Sequence, residues 1–411
     1  MPLHEDQLEI LGEKLVPLFQ KLETAVIADI ARRLKKTKAL TETAENMARA
    51  LRSKGFSPAE IHAEVMRTIN ADKAAKAEIT ENTIAAKRFI QQKIIELRKQ
   101  VDPAIKDALS EAADMAFQND LSAWKGPRLP IKGSAFEQLV KAMQERACDE
   151  ILNLTKTTGF RFQSGLVVRQ QQAYTNALNI AFTKITSGAY SYQQALEEAV
   201  RQMARSGLRM INFESGVSRQ LDTAARNAML TASAQLSGQI TMQNVEDTGV
   251  ELVEVSKHWG ARTGKGHGNH AAWQGRIYRV KGSDDKYANL ESVTGYPSDP
   301  TGLLGYNCRH TFYPFWEGVS KPNKWDDEPP PVEINGKTYT YYQVTQEQRR
   351  MEREIRAMKR EEIGYREAEL FAKAKYTKSR INGMIREYNE FSRRAGISPK
   401  PTRLRVATIT K

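Results

Sequence analysis

Four of the six histidines, His258, His267, His270 and His310, fall in one stretch of the chain, and Cys308 falls with them. Two close pairs stand out, His267-Gly-Asn-His270 and Cys308-Arg-His310. Imidazole nitrogen and thiolate sulfur are the donors that zinc takes in a tetrahedron, and paired donors on two loops are a common way to supply them. On that reading His267, His270, Cys308 and His310 hold a structural zinc, and no other cofactor is called for. A second reading keeps the same side chains as hydrogen-bond partners for irregular backbone, with Cys308 a small buried group. A third makes the histidines acid and base in a small nuclease or transferase, with Arg262, Arg276 or Arg309 facing a phosphate. The spacing contains no nucleophile and base pair that would select the third reading, so no catalytic residue is expected. Gly260-Ala-Arg-Thr-Gly264-Lys265-Gly266 fails as a phosphate loop: three residues separate the first two glycines instead of four, and Gly follows the Lys where Ser or Thr would bind magnesium.

The second chemical signal is charge. The 411-residue chain carries a formal +13, and from Arg349 to Lys411 it holds 18 Lys/Arg against 8 Asp/Glu, a balance of +10. Such local asymmetry points to a polyanion, whereas a solvated helix with internal ion pairs is the plainer alternative. The candidate DNA contacts are Arg349, Arg350, Arg353, Arg356, Lys359, Arg360, Arg393, Arg394, Lys400, Arg403 and Arg405. Phosphate contacts of this kind neutralise without reading sequence, and no base-reading helix is evident.

The elements that must position these groups are mostly helical. Leu8, Leu11, Leu15, Leu18 and Leu22, continued by Ile27, Ile30 and Leu34, make one apolar stripe on a long helix, with Pro17 as the place for a kink. Ser57-Pro58-Ala59-Glu60 has the signature of a helix start, and Asp102-Pro103 and Ser191-Tyr192-Gln193-Gln194 read the same way. Almost the whole chain to residue 245 reads as helix, interrupted by a linker at Lys125–Gly133. From Asp247 the pattern changes. Val250–Val255 and Arg276–Val280 predict strands, Phe312–Trp316 closes an aromatic cluster, and Gly, Ser, Asp and Pro dominate between them. The aromatics Trp259, Trp273, Tyr278, Phe312, Tyr313 and Trp316 are read as core, since a small module has few other residues to fill its interior. Helix resumes at a capping box over Thr345–Gln348. If continuous to Phe391 that helix would be roughly 65–70 Å long, with Gly364 or Gly383 as possible breaks. Residues 398–411 are basic and lack an apolar period, which predicts disorder until something binds.

The expected fold class is therefore mostly α, built of long helices, with a small α+β module near 247–318. The expected segments are helical domains at 1–126 and 134–246, the module at 247–318, a linker at 319–344, a basic helix at 345–397 and a basic tail at 398–411. No run of about 18 apolar residues exists that would span a membrane. The first six residues lack the apolar stretch of a secretory signal. Two cysteines far apart in sequence fit a reducing compartment.

Three segments, in this order, resemble the phage minor capsid protein family within the MuF-type head-morphogenesis proteins. The first is Leu221–Asn244 leading into Val253-Glu254-Val255-Ser256-Lys257-His258-Trp259. The second is His270-Ala-Ala-Trp-Gln-Gly275-Arg-Ile-Tyr278 followed by Gly305-Tyr-Asn-Cys-Arg-His310 and Tyr313-Pro314, similar to the family's H-x-x-x-x-G-x-x-[FY] and N-C-R-H segments. The third is the Thr-Gln-x-Gln-Arg run within Tyr342–Arg356. The chain departs from the family in the long loop between the two candidate ligand pairs. The resemblance implies a few-copy virion protein of a tailed double-stranded-DNA phage, inside the capsid near the portal. Its partners would be the portal protein, the major capsid or scaffold protein and packaged DNA, with the host cytoplasm as the place of assembly. It also implies a protein that is not an enzyme. The competing readings are a nuclease or toxin-like domain in the 247–318 module, and a cellular nucleic-acid-binding or coiled-coil adaptor.

Overall fold

The computed structural model describes residues 5–408, apart from 163, 189, 213 and 215. The fold is mostly helical with a small β-containing module, as the sequence implies. Among the described residues no helix is long and apolar enough to cross a membrane. The chain divides into two compact units that each draw on three separated stretches.

One unit combines Met1–Val16, Lys99–Asn153 and Asp222–Gln346. Its sheet is antiparallel, with Leu252–Val255 between Ile277–Arg279 and Phe312–Phe315. Register pairs Val253 with Tyr278 on one side and with Pro314 on the other. Pro314 is tolerated because its strand lies at the sheet edge, where one side of the backbone needs no ladder partner. All four residues of the central strand are buried. Val253 and Val255 face one core with Trp273, Tyr278, Leu303, Leu304 and Phe312. Leu252 faces the other with Tyr287 and Phe315. On that second face Glu254 accepts from the backbone and side-chain nitrogens of Asn323 at 2.9 and 3.1 Å. Of the aromatics read as core, Trp273, Tyr278, Phe312 and Tyr313 are buried, Trp316 is half-buried, and Trp259 is 37% exposed and packs edge-on against Tyr341.

Beyond Phe315 the stretch read as a linker carries a further hairpin, Val332–Ile334 with Lys337–Tyr339. Its turn is Asn335-Gly336, both at positive φ, a pairing that favours a tight hairpin turn.

The other unit combines Pro17–Arg98, Leu154–Leu221 and Glu347–Lys411. It corrects the almost wholly helical reading of the first 245 residues. Four short strands form an antiparallel sheet ordered Val167–Arg169, Thr158–Arg161, Arg209–Ile211, Ser218–Gln220. Each has only three or four residues, too few to show a period against the helices around them. Gly159 permits the closest pairing, since a Cβ there would strike the Val168 carbonyl oxygen.

Helix boundaries follow local chemistry where a cap is present. Ser57 and Glu60 form the expected capping box, as do Ser191 and Gln194. Two expected starts are corrected. Asp102-Pro103 lies inside the single helix Lys73–Ala123. There Asp102 pairs with Lys106 at 2.8 Å instead of capping, and buried Val101, Ile105, Ala108 and Leu109 carry the apolar stripe past the proline. The C-terminal helix opens at Tyr341, not at Thr345. Thr340 and Gln343 form the reciprocal bonds there, at 2.9 and 3.3 Å. The N-terminal stripe breaks before Pro17, into Glu5–Glu13 and Val16–Lys36, with proline in the first turn where its missing N–H costs nothing.

The C-terminal region is a helical hairpin, Tyr341–Glu367 and Phe371–Arg394, turned at Glu369 with φ +57°. Its seam holds Ile355, Met358, Ile381 and Tyr388. Gln348 bonds Ser392 at 3.0 Å and the Tyr388 hydroxyl bonds Glu352 at 3.1 Å. The expectation of a disordered tail is corrected for residues 398–408, while 409–411 lie outside the described residues. Leu404 is buried in the seam, Lys400 N–H donates to the Tyr388 hydroxyl at 2.8 Å, and Arg356 and Lys359 donate to the carbonyls of Arg403 and Leu404 at 2.8 and 2.7 Å. One apolar anchor and these three polar contacts suffice without any period.

Candidate functional site

The sheet module brings together part of the histidine and cysteine set. His270 opens the short helix His270–Trp273, and Cys308 and His310 precede the strand Phe312–Phe315. Backbone bonds fix these approaches: Ser256 N–H donates to Thr311 O at 2.8 Å and Val255 N–H to Arg276 O at 2.9 Å. The loop that delivers Cys308 is tight. A side chain on Gly302 would collide with the Thr294 carbonyl oxygen, and one on Gly305 with that of Pro300. Leu304 and Asn307 take positive φ, +59° and +56°, an uncommon conformation outside glycine that marks a constrained path.

His270, Cys308 and His310 are all buried, and one ligand atom of each lies within 4.8 Å of the others. The Cys308 Sγ to His310 Nδ1 distance is 3.5 Å. His310 Nε2 meets Gln274 Oε1 at 2.9 Å, and that same oxygen accepts the His258 backbone N–H at 3.1 Å. Because the amide atom already accepts a backbone N–H, it is the oxygen, so His310 carries its proton on Nε2 and leaves Nδ1 as a lone pair. His270 Nε2 donates to Thr301 O at 2.9 Å, which leaves its Nδ1 bare in the same way. Burial holds the pKa of both imidazoles below the ordinary value, that of His310 well below. Both rings are therefore neutral near pH 7. Burial pushes the Cys308 thiol up to about 11, the wrong direction for a catalytic nucleophile.

His267 stands apart. Its Nδ1 meets Asp299 at 2.9 Å and its Nε2 the Ser292 carbonyl at 3.2 Å. The hydrogen bond with Asp299 raises its pKa, while bonds from Thr301, then His267, hold Asp299 at about 2. The residue that sequence spacing leaves out of the ligand set is His258, whose ring stacks on His310 with centroids 4.3 Å apart. Its place just past the end of the central strand, opposite the strand that follows His310, is a pairing no local spacing announces. Of the arginines considered for phosphate, Arg262 donates to the Tyr306 carbonyl at 2.7 Å and Arg276 is exposed.

The basic candidates divide sharply. Arg360 is buried, with Nε on the Ala204 carbonyl at 2.8 Å and a guanidinium nitrogen 3.5 Å from Glu23. Arg356 and Lys359 hold the tail, and burial lowers the Lys359 pKa. Arg403 lies 3.8 Å from buried Glu352. Lys400 is tied at its backbone, and Arg349 is half-buried. Arg350 pairs with Glu347 at 2.7 Å and Arg394 with Glu390. Arg353, Arg393 and Arg405 are exposed.

The sequence reading passed over Lys375, Lys378, Arg380 and Arg386, all exposed on Phe371–Arg394. Lys375, Arg386 and Arg393 fall along one line of that helix at 100° per residue, on the side away from buried Ala374, Ile381 and Tyr388. Projecting the whole helix, instead of marking basic pairs, would have found them.

A family model described as phage minor capsid protein 2 matches residues 3–391. A protein of Lactococcus phage LL-H named "Structural protein" is 27% identical over 195 residues, which is 46% of this chain and 49% of that protein. The chain thus spans about half the length of that relative. No solved structure matches the chain.

Proposed function

Since the chain belongs to the phage minor capsid protein 2 family, we propose that it is a minor head protein of a tailed double-stranded-DNA phage, seated in the capsid interior near the portal. It acts there in head assembly and in packaging or delivery of DNA, touching the DNA without reading its sequence, and it is not an enzyme. Its protein partners on this reading are the portal protein and the major capsid or scaffold protein, first met in the host cytoplasm. The observation that carries DNA contact is the cationic line Lys375, Arg386, Arg393 on a helix whose other face is buried. Solvent-facing cations on a rigid helix can meet phosphates at no cost in folding, and each contact releases condensed counterions.

The test is duplex-DNA binding by the full chain across a salt series. Binding should weaken with a log–log slope of about −0.9 per phosphate contact. Lys375→Glu, Arg386→Glu and Arg393→Glu together should shallow that slope by about two to three. A slope unchanged by the triple variant, or strong preference for one sequence, would remove this face as the DNA contact. Cross-linking within purified virions tests the portal placement directly.

A further inference from the structure

We propose that His270, Cys308 and His310 bind one divalent transition-metal ion, of which zinc is the natural occupant of such a nitrogen and sulfur set. The three side chains are buried together and converge from the short helix His270–Trp273 and the stretch before Phe312–Phe315. In a tetrahedral zinc site with Zn–S of about 2.3 Å and Zn–N of about 2.0–2.1 Å, the sulfur-to-nitrogen edge is about 3.5 Å. The Cys308 Sγ to His310 Nδ1 distance is 3.5 Å. Two imidazoles on one such ion place their ring centres about 5 Å apart by the same geometry, and those of His270 and His310 are 5.3 Å apart.

The shell around the trio is arranged for ligation. Each histidine directs its Nε2 proton to an oxygen, Thr301 O for His270 and Gln274 Oε1 for His310. Such outer partners fix the tautomer and the ring orientation that a metal requires. Gln274 is itself held by the His258 backbone. His258 does not complete the set. Its ring lies 4.3 Å from that of His310 at 30°, closer and flatter than two ligands of one tetrahedral ion, so it covers the site as a stacked ring. His267 is excluded by its bonds to Asp299 and Ser292. The ion would join the start of the helix His270–Trp273 to the loop before the strand Phe312–Phe315, where regular ladder bonds are lacking. On binding, Cys308 gives up its thiol proton to solvent and ligates as thiolate.

The experiment uses the full chain without an affinity tag, loaded with zinc or cobalt(II) chloride, dialysed and analysed for metal. About one ion per chain is expected, and the cobalt form should show a thiolate-to-cobalt charge-transfer band in the near ultraviolet. Cys308→Ser should lose that band. His267→Ala and Cys148→Ser should keep both the band and the stoichiometry. Folded wild-type protein that holds less than about 0.2 ion per chain after loading overturns the proposal. So does a band lost in Cys148→Ser, or metal lost in His267→Ala. Should Cys308→Ser fail to fold, the wild-type and Cys148→Ser spectra still decide, because Cys148 and Cys308 are the chain's two cysteines.

Discussion

The sheet module and the C-terminal hairpin bury polar side chains in opposite ways. In the module the buried groups are held by oxygens and amides: His270 by Thr301, His310 by Gln274, Glu254 by Asn323. Those imidazoles are neutral. In the hairpin's unit the buried groups are ions set against ions, Arg360 with Glu23 and Arg403 with Glu352. The difference bears on how a sequence is read. Rare residue types such as Cys and His lose little of their meaning on folding, because three of the four marked positions remain clustered. A charge count loses much of its meaning, because arginine has a long apolar stem and a fork of five donors that serve the interior as readily as the surface. A balance of +10 over the last 63 residues therefore overstates the charge that faces solvent.

The sharpest test of that contrast is Arg360→Ala. Removing a buried guanidinium takes from Glu23 the nitrogen 3.5 Å away and from Ala204 O its donor. Breaking a buried pair in this way costs about 3–5 kcal/mol. Arg353→Ala, at an exposed position of the same helix, should stay within about 0.5 kcal/mol of wild type. Denaturant unfolding of both variants checks the pair, and equal effects would erase the distinction between inner and outer cations.

Asp120 tests whether the module's unit can tolerate a buried ion at all. It is 2% exposed, and its carboxylate accepts from Thr241 at 3.1 Å and Asn244 at 2.8 Å. Burial outweighs those bonds and raises its pKa to about 7. With the folded pKa above the unfolded one, the native state holds the extra proton. The stabilisation is complete below about pH 4 and is lost as pH rises through about 7. The full linkage over that window has a ceiling of about 4 kcal/mol, and about 2 kcal/mol is a fair expectation after relaxation. Asp120→Asn keeps both hydrogen bonds, since its amide can accept from Asn244 and donate to Thr241. It should flatten stability between pH 4 and 7, and a pH profile identical to wild type would show that Asp120 titrates normally.

What the sequence displayed, and what it hid, follows the same physics. The Ser57 and Ser191 caps were legible because a capping box is closed within four residues. The strands Leu252–Val255 and Ile277–Arg279 were legible because β-branched runs follow Gly249 and Gly275, whereas Phe312–Phe315 showed only as an aromatic cluster. The strands Thr158–Arg161 and Arg209–Ile211 were not, since their pairing joins residues some fifty positions apart and each is too short to carry a period. Pro103 misled because proline at a helix start and proline tolerated mid-helix look alike until the apolar stripe on both sides is weighed. The ligand trio was visible as residue types, but setting His267 aside needed Asp299 in place, and setting His258 aside needed its stack on His310.

The tail offers the smallest effect and the one that joins the two halves of the comparison. Leu404 is 5% exposed and packs with Ile355, Met358 and Tyr388. A core Leu→Ala change costs about 2–5 kcal/mol, but this segment is held by one buried side chain and a few hydrogen bonds and can undock alone. The loss is then capped by the free energy of docking, about 1–2 kcal/mol. Leu404→Ala should therefore speed amide exchange at Lys400, Arg403 and Arg405, whose N–H groups bond Tyr388 Oη, Lys400 O and Thr402 O. Exchange in Leu252–Val255 should stay unchanged. Undocking also releases the Arg356 and Lys359 side chains from the carbonyls they hold and frees the tail's cations to reach phosphate. The same variant should accordingly bind DNA with a steeper salt slope than wild type, by about one to three contacts. A tail already free in the native protein would give neither change, and faster exchange with an unaltered slope would mean that these cations serve the fold alone.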